Sequence, residues 1–194
     1  MIKVLLAIPN MGNIEQECLR SICSLNIPAD TCFDIELITG YGVALARNRA
    51  AAKAISEGYD YVFFVDGDQI LPADALEKLL SHNVDIVSGW TIMAVGESYT
   101  NVSYYNAEKN AYEFVLRDSL PAGLMSIDGI GCACMLVKTS VFASLDKPYF
   151  RYVEYEDGSV LSEDLYFCNT AKRQGFNICC DTSLKAGHIK KIVL

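Results

Sequence analysis

The sequence predicts an α/β fold, in which strands and helices alternate along the chain. In the first ninety residues, short apolar runs typical of buried strands alternate with segments of helical periodicity. Parallel strands joined by crossover helices produce that order. The composition agrees, since 52% of the 194 residues are hydrophobic and 21% are charged, as in ordinary globular domains. We therefore expect one domain over residues 1–194.

The first half contains four predicted strands and three predicted helices. Apolar runs indicate strands at 2–8, 33–39, 59–65 and 84–88. Helical spacing of apolar residues begins at Ile14, and an alanine-rich helix is predicted over 43–57 because Gly58 suits its C-terminus. Pro72 is placed where the first turn of a third helix accepts a proline.

The second half has a different pattern. Residues 99–105 and 112–116 flank a polar segment, which predicts a hairpin. A long strand-like run over 125–137 is interrupted by Gly129 and Gly131, and a helix is predicted over 162–174 and a final short strand over 177–180. We expect this half to be antiparallel and to continue from the first without a linker.

Charge and cysteine usage narrow the class of protein. The net charge of −8 argues against a nucleic-acid backbone or an anionic membrane as the main partner, because both need a basic face. No apolar run approaches the roughly 20 residues that span a bilayer, and the first residues are too short a run for a signal peptide. The eight cysteines form no zinc-type pair, so we expect buried, reduced thiols and a cytoplasmic protein.

Two aspartates follow the third predicted strand, at Asp66-Gly67-Asp68. Side chains two residues apart lean to the same side of an extended chain, so these carboxylates can converge beyond the strand end, where ligands bind in open α/β sheets. Close carboxylates repel each other unless a cation neutralises them, and oxygen ligands favour Mg²⁺ or Mn²⁺ over zinc. Because Asp and Gly are also ordinary turn residues, a simple turn is the alternative.

A second acidic pair, Glu163-Asp164, follows Ser162 at the predicted start of a helix. Serine is a good N-cap and the helix dipole stabilises negative charge in the first turn, which is a complete structural explanation. A carboxylate held rigidly at a helix N-terminus also suits a general base, provided that it stays ionised. Both interpretations remain open from these residues.

Basic residues and histidines supply the other candidates. His188 lies beside Lys190 in the most basic segment near the end of the sequence, which suits an anionic diphosphate, whereas His82 has no such neighbours and is predicted to lie on the surface. Arg47 and Arg49 lie early in the second predicted helix. They can bind phosphate or a base edge, or form a solvated face.

With these positions assembled, the sequence resembles the GT-A glycosyltransferases, in particular the family-2-like inverting enzymes that use nucleotide-diphosphate sugars. The motifs that carry the resemblance, in order, are Ile8-Pro9-Asn10, Gly42 to Asn48, the DxD motif Asp66-Gly67-Asp68, Gly131 to Val137, Ser162-Glu163-Asp164, Gly175 to Ile178 and Gly187-His188. The resemblance implies a GT-A fold with a mixed central sheet flanked by helices. It also implies a nucleotide-sugar-binding half at residues 1–100 and an acceptor-binding half at residues 101–194.

The resemblance further implies roles for individual residues. Asp68 is the expected direct ligand of Mn²⁺ or Mg²⁺, His188 a further metal ligand, and Asp66 a contact to the ribose or the metal shell. Asp164 is similar to the catalytic base of the family, with Glu163 as an alternative base or an acceptor-binding residue. The positions expected to bind the nucleotide sugar are Ile8, Pro9, Arg47, Asp66, Gly67, Asp68 and Lys190.

The implied activity is transfer of a sugar from a UDP- or GDP-sugar to an acceptor hydroxyl on a glycan or another molecule, with inversion at the anomeric carbon. Trp90 and the turn 129–131 are expected near the donor sugar or the acceptor. Many relatives carry a paired-Asp, Gly, Ser motif after the second strand, where this chain has Thr39-Gly40-Tyr41-Gly42, so the resemblance does not choose the base. A retaining enzyme and a non-catalytic sugar-nucleotide-binding module or domain are the alternatives. A nucleotidyltransferase is disfavoured, because the first residues contain no glycine- and lysine-rich loop.

Overall fold

A computed structural model describes residues 1–93 and 98–191. The helices are α1 (Gln16–Cys23), α2 (Val43–Glu57), α3 (Ala75–Ser81), α4 (Thr139–Ala143) and α5 (Glu163–Arg173). The strands are β1 (Ile2–Asn10), β2 (Thr31–Thr39), β3 (Tyr61–Val65), β4 (Gln69–Ile70), β5 (Ile86–Trp90), β6 (Tyr99–Asn106), β7 (Ala111–Leu116), β8 (Leu124–Ser126), β9 (Gly129–Ile130), β10 (Cys134–Lys138), β11 (Val153–Glu154), β12 (Val160–Leu161), β13 (Ile178–Lys185) and β14 (Gly187–His188).

The central sheet has the strand order β2-β1-β3-β10-β5-β13-β8. β1 pairs in parallel with β2 and β3, as alternating strands and helices predict. β10 then runs antiparallel to both β3 and β5, so a strand from the second half lies between two strands of the first. The predicted mixed α/β sheet is therefore confirmed. The expectation of an antiparallel second half is wrong for β13, which pairs in parallel with β5.

Alternate side chains of β3 build two hydrophobic cores, one on each face of the sheet. Phe63 and Val65 pack with the core that α1 and α3 cover. Val62 and Phe64 pack with the core that α2, α4 and α5 cover, where Phe64 contacts Phe150 with ring centroids 5.4 Å apart. Burial on both faces explains why β3 is an uninterrupted apolar run. The same burial holds β3 in place, and Asp66 directly follows its last residue.

The strand-like run over 125–137 is not one strand, and it is divided in the region of the two glycines that interrupt it. The segment forms β8, β9 and β10, which belong to different pairings: β8 pairs with β13, β9 with β6, and β10 with β3 and β5. The chain passes from one pairing to the next at position 129, where only glycine fits. A Cβ there would lie 2.6 Å from Cδ2 of Leu165 and 2.9 Å from the Tyr112 ring. Helix α5 packs against the chain at that point, and the local sequence pattern does not predict this contact.

His82 also departs from its prediction as a surface residue without partners. Its side chain is half-buried, and Nε2 lies 2.8 Å from Oδ2 of Asp181, which is buried on β13. Burial alone would raise the pKa of Asp181, but the hydrogen bonds from His82 and Ser183 outweigh it and hold that pKa below its usual value. β13 is longer than predicted, and Asp181, the partner of His82, lies in its additional residues.

The cysteines are unpaired in the structure, and all except Cys23 and Cys32 are buried. They fill core positions as small hydrophobic groups, as the sequence predicts. Within residues 1–93 and 98–191, no helix is both long enough and apolar enough to cross a bilayer.

Candidate active site

A cleft with a volume of about 440 Å³ opens where β1 and β3 end. Residues from four separate segments line it: the end of β1, the turn after β3, the start of α2 and the start of α5. From the predicted site residues, the structure places in this lining Pro9, Arg47, Asp66, Gly67, Asp68, Glu163 and Asp164. Positions up to 155 residues apart in the sequence thus meet at the edge of the sheet where ligands of α/β folds bind.

Arg47 is a buried cation that connects two of these segments. Its side chain is 3% exposed, and one guanidinium nitrogen donates to Oδ1 of Asp66 at 2.8 Å. The other terminal nitrogen donates to Oε1 of Glu163, which is also buried. Burial is the largest single influence on the pKa of Arg47 and lowers it, but the acidic groups around it, Cys132, Asp66, Glu163 and Asp164, together outweigh burial and raise that pKa. Arg47 therefore joins the turn after β3 to the start of α5.

Asp66 is the first aspartate of the DxD motif and is one-third exposed. Burial raises its pKa, and the negative charges of Asp68 and Asp164 raise it further. Arg47 opposes both effects through its charge and its hydrogen bond. Negative charge is thus concentrated in the cleft beyond what Arg47 neutralises, which favours an additional cation nearby.

Asp164 lies in the first turn of α5, where the helix dipole stabilises a carboxylate. Its Oδ1 accepts hydrogen bonds from the Ser162 hydroxyl and from the backbone N–H of Leu165, the latter at 2.8 Å. Its Oδ2 faces Gly131, where an added Cβ would lie only 3.2 Å away. One oxygen is therefore fixed by local donors, and the other remains available at the cleft.

Glu163 and Asp164 have different surroundings although they are adjacent. Glu163 is 5% exposed and is committed to the buried ion pair with Arg47. Asp164 is half-buried and forms no ion pair with any described residue. A group that accepts a proton from a substrate must be reachable by it, and this contrast favours Asp164 over Glu163 for that chemistry.

The short antiparallel pair β4–β14 brings His188 to the DxD motif. Gly187 pairs with Ile70 and His188 with Gln69, and Ile189 N–H donates to the Asp68 carbonyl at 2.9 Å. As a result, Nε2 of His188 lies 3.1 Å from Oδ2 of Asp68. Lys190 follows, with its ammonium 3.9 Å from the same carboxylate oxygen.

The hydrogen-bonding roles at His188 leave an acceptor facing an acceptor. Nδ1 lies 2.8 Å from the Ile92 carbonyl, which only accepts, so Nδ1 carries the ring proton. In the neutral ring, Nε2 then presents a lone pair to the ionised Asp68, which also only accepts. Either a second proton or a metal cation must lie between these two atoms.

This donor set fits a hard divalent cation. Two ligands at adjacent corners of an octahedron with bonds of about 2.1 Å lie about 3.0 Å apart, close to the Nε2–Oδ2 separation. A carbonyl that fixes the second ring nitrogen is the usual support of a metal-binding histidine. Among residues 1–93 and 98–191, no group of three or more His, Cys, Asp or Glu side chains converges, so Asp66 does not join Asp68 and His188.

The other predicted positions differ in their access to the cleft. Ile8 is completely buried, so only its backbone can face a ligand there. Trp90 is also buried, and its indole N–H donates to the Thr182 carbonyl at 2.9 Å, outside the cleft lining. Arg49 is exposed and stacks on Tyr41, with its guanidinium 3.8 Å from the ring centroid, away from Asp66.

Two polar residues that the sequence did not single out support the site. Buried Gln69 donates from Nε2 to Oδ1 of Asp68 at 3.0 Å, while its own Oε1 has no partner among the described residues. Asn101 accepts from the Thr91 N–H at 2.9 Å and donates to the Gly131 carbonyl. Asn101 acts through contacts distant in sequence, which no motif reveals. Gln69 directly follows the DxD motif, and that position is the one sequence signal that could have singled it out.

Comparisons with known proteins agree with this fold. The family model described as glycosyl transferase family 2 matches residues 17–142, well over half of the chain. A search of curated proteins found no match. Among solved structures, A197 from STIV is 20% identical with a TM-score of 0.65, and the alignment covers 98% of this chain and 87% of that one.

A second solved structure is GalNAc-T7 with UDP, GalNAc and Mn²⁺. It is 10% identical with a TM-score of 0.65, and the alignment covers 98% of this chain and 44% of that one. This chain thus spans less than half of the GalNAc-T7 chain. At these identities the likeness shows the fold alone, and with the family match it confirms the predicted GT-A fold.

Proposed function

The chain belongs to glycosyl transferase family 2, and from this membership and the cleft we propose a metal-dependent glycosyltransferase. The proposed reaction moves a sugar from a nucleotide-diphosphate donor, UDP- or GDP-linked, to an acceptor hydroxyl with inversion. The observation that supports the metal dependence is the pairing of His188 Nε2 with Asp68 Oδ2, two atoms that a divalent cation between them would satisfy.

The proposed metal ligands are Asp68 and His188, with diphosphate oxygens and water completing the shell of Mn²⁺ or Mg²⁺. A divalent cation bound there would neutralise the negative charge that develops on the departing diphosphate. Lys190, 3.9 Å from Asp68, is positioned to contact the same diphosphate. Asp66 is assigned to the nucleotide side of the site, held by Arg47.

Asp164 is the proposed general base. The donors on its Oδ1 hold the carboxylate in place, and the open Oδ2 can take the proton of the acceptor hydroxyl as that hydroxyl attacks the anomeric carbon. Attack from the face opposite the diphosphate inverts the configuration. Glu163 is proposed as a positioning residue, which fixes the start of α5 through Arg47.

A screen of sugar nucleotides tests this function. The protein would be incubated with UDP- and GDP-sugars and Mn²⁺, with and without chelator, and release of nucleoside diphosphate would be measured. Asp68→Ala should abolish metal-dependent release, and Asp164→Asn should lower transfer by about 10²–10⁴-fold while donor binding persists. Asp157→Ala, an exposed aspartate on the β11–β12 turn, is the matched control and should match wild type.

Two results would contradict the proposal. Full transfer in the presence of chelator would exclude metal dependence. Donor binding with neither hydrolysis nor transfer would indicate a non-catalytic sugar-nucleotide module. The anomeric configuration of the product, read by proton NMR, separates inversion from retention. A retained configuration would remove the direct role of Asp164 as a base for the attacking hydroxyl.

A further inference from the structure

A second cavity, with a volume of about 640 Å³, lies along α5 between the β6–β7 hairpin and the β11–β12 hairpin. We call it the tyrosine groove, defined by Tyr105, Tyr112, Tyr155, Asn169 and Arg173. It has no lining residue in common with the cleft that contains Asp66 and Asp164. Its volume lies in the range of small-molecule sites. Nothing in the proposed reaction centre uses it.

Aromatic side chains form the walls of the groove. Tyr105 and Tyr155 are 45% and 46% exposed, and the ring of Tyr105 meets that of Tyr112 edge to face with centroids 5.3 Å apart. Tyrosine rings offer a flat apolar surface with a polar tip and lose little conformational entropy on binding. Such walls suit a ligand that has apolar C–H faces and polar edges.

The polar groups of the groove are hydrogen-bonding side chains without acidic neighbours. Asn169 is half-buried, Arg173 is exposed, and the lining contains no aspartate or glutamate, although the chain carries a net charge of −8. Within the described residues, Arg173 forms no ion pair. Amide and guanidinium groups with free donors suit hydroxyl groups. Together with the tyrosine rings, they match a carbohydrate better than an apolar peptide.

The groove leads to the start of α5. Leu165, Asn169 and Arg173 share one face of the helix at four-residue spacing and cover about 12 Å of its length. Leu165 directly follows Asp164. On the other side, the β11–β12 turn is held by hydrogen bonds from Tyr155 N–H to the Ser159 carbonyl and from Gly158 N–H to the Tyr155 carbonyl, each 2.9 Å long, and β12 leads directly to the start of α5. An extended ligand in the groove would therefore reach the first turn of α5, which carries the proposed base on a neighbouring face of the helix.

Resting on the proposed function, we propose that the tyrosine groove binds an oligosaccharide acceptor. It would hold the sugar units that lie away from the reacting hydroxyl, with their C–H faces on Tyr105 and Tyr155 and their hydroxyls on Asn169 and Arg173. The acceptor of this enzyme is then a carbohydrate of more than one unit. Residues of α5, the β6–β7 hairpin and the β11–β12 hairpin would determine the affinity for this acceptor, independently of the donor.

The test is binding of the full chain to an array of defined di- to hexasaccharides, without donor or metal. Wild type should bind a subset of the array. Tyr105→Ala and Asn169→Ala should each weaken that binding, by about tenfold for the aromatic contact. Tyr104→Ala is the matched control, because Tyr104 is 43% exposed on the opposite face of β6 and does not line the groove. Thermal melts confirm that each variant is folded.

Measuring donor hydrolysis as well as saccharide binding distinguishes the role of the tyrosine groove from that of the reaction centre. Tyr105→Ala should hydrolyse sugar nucleotide at the wild-type rate, and Asp68→Ala should bind the array as wild type does. The proposal is overturned if wild type binds no saccharide, if Tyr105→Ala and Asn169→Ala both bind like wild type, or if Asp68→Ala loses array binding. Failure of donor hydrolysis in wild type, with array binding retained in the groove, would instead sink the proposed transferase and leave a carbohydrate-binding site.

Discussion

Replacing Arg47 by methionine tests the buried ion pair that joins the DxD turn to α5. The change keeps an unbranched side chain without its charge and leaves Glu163 buried without a cation, whereas Asp66 is one-third exposed and is compensated by water. Breaking a buried pair costs about 3–5 kcal/mol of unfolding free energy. The dipole of α5 stabilises Glu163 by up to about 1 kcal/mol, which leaves a loss of about 2–4 kcal/mol.

Thermal unfolding followed by circular dichroism measures this loss. At about 2–4 °C per kcal/mol for a chain of this size, Arg47→Met should lower Tm by about 4–16 °C. The double variant Arg47→Met, Glu163→Met should recover most of it, because apolar groups replace a buried pair at little net cost. Arg49→Met, which removes an exposed arginine from the same helix, is the control. Equal shifts in Tm for Arg47→Met and Arg49→Met would contradict a stabilising ion pair between Arg47 and Glu163. So would a double variant whose loss of Tm equals the sum of the losses of the two single variants.

Three further predictions follow from the geometry. Gly131→Ala should lower transfer by about tenfold with little change in donor binding, because the new Cβ pushes Oδ2 of Asp164 by a fraction of an ångström; wild-type transfer would contradict this. Gln69→Leu should weaken Mn²⁺ binding by about 10–100-fold, because Asp68 loses the amide that orients it, without lowering Tm, because leucine removes a buried oxygen that has no partner; a large fall in Tm would contradict it. Asp181→Asn should lower Tm at pH 7, and this loss should shrink as pH falls below about 4, because a carboxylate with a depressed pKa loses its stabilising effect as it becomes protonated; a loss that does not change with pH would refute this.

The fold was predictable where local pattern decides it. The helix over 43–57 has the predicted bounds, because its alanines are buried and Gly58 takes the left-handed conformation that ends it. The strand ending at Val65 was predictable for the same kind of reason, since burial on both faces makes it uniformly apolar. Near the carboxyl end of that strand, the sequence also places Asp66 and Asp68 correctly at the sheet edge.

Contacts distant in sequence account for what was missed. The insertion of β10 between β3 and β5 depends on pairings of residues about seventy positions apart with β3 and about fifty apart with β5. The division of 125–137 depends on the packing of Leu165 on Gly129. The contrast between Glu163 and Asp164 is of the same kind. Only the folded chain shows that Arg47 takes Glu163 into the core and leaves Asp164 at the cleft.

Electron paramagnetic resonance of bound Mn²⁺ tests the central claim most directly, with UDP and GDP used in turn. Coordination by Nε2 of His188 predicts nitrogen modulation of the Mn²⁺ echo in wild type that His188→Gln abolishes. His82→Gln is the matched control, because His82 is the other histidine of the sequence, and it should retain the modulation. Modulation that survives in His188→Gln, or Mn²⁺ binding that is unchanged in Asp68→Ala, would contradict the account.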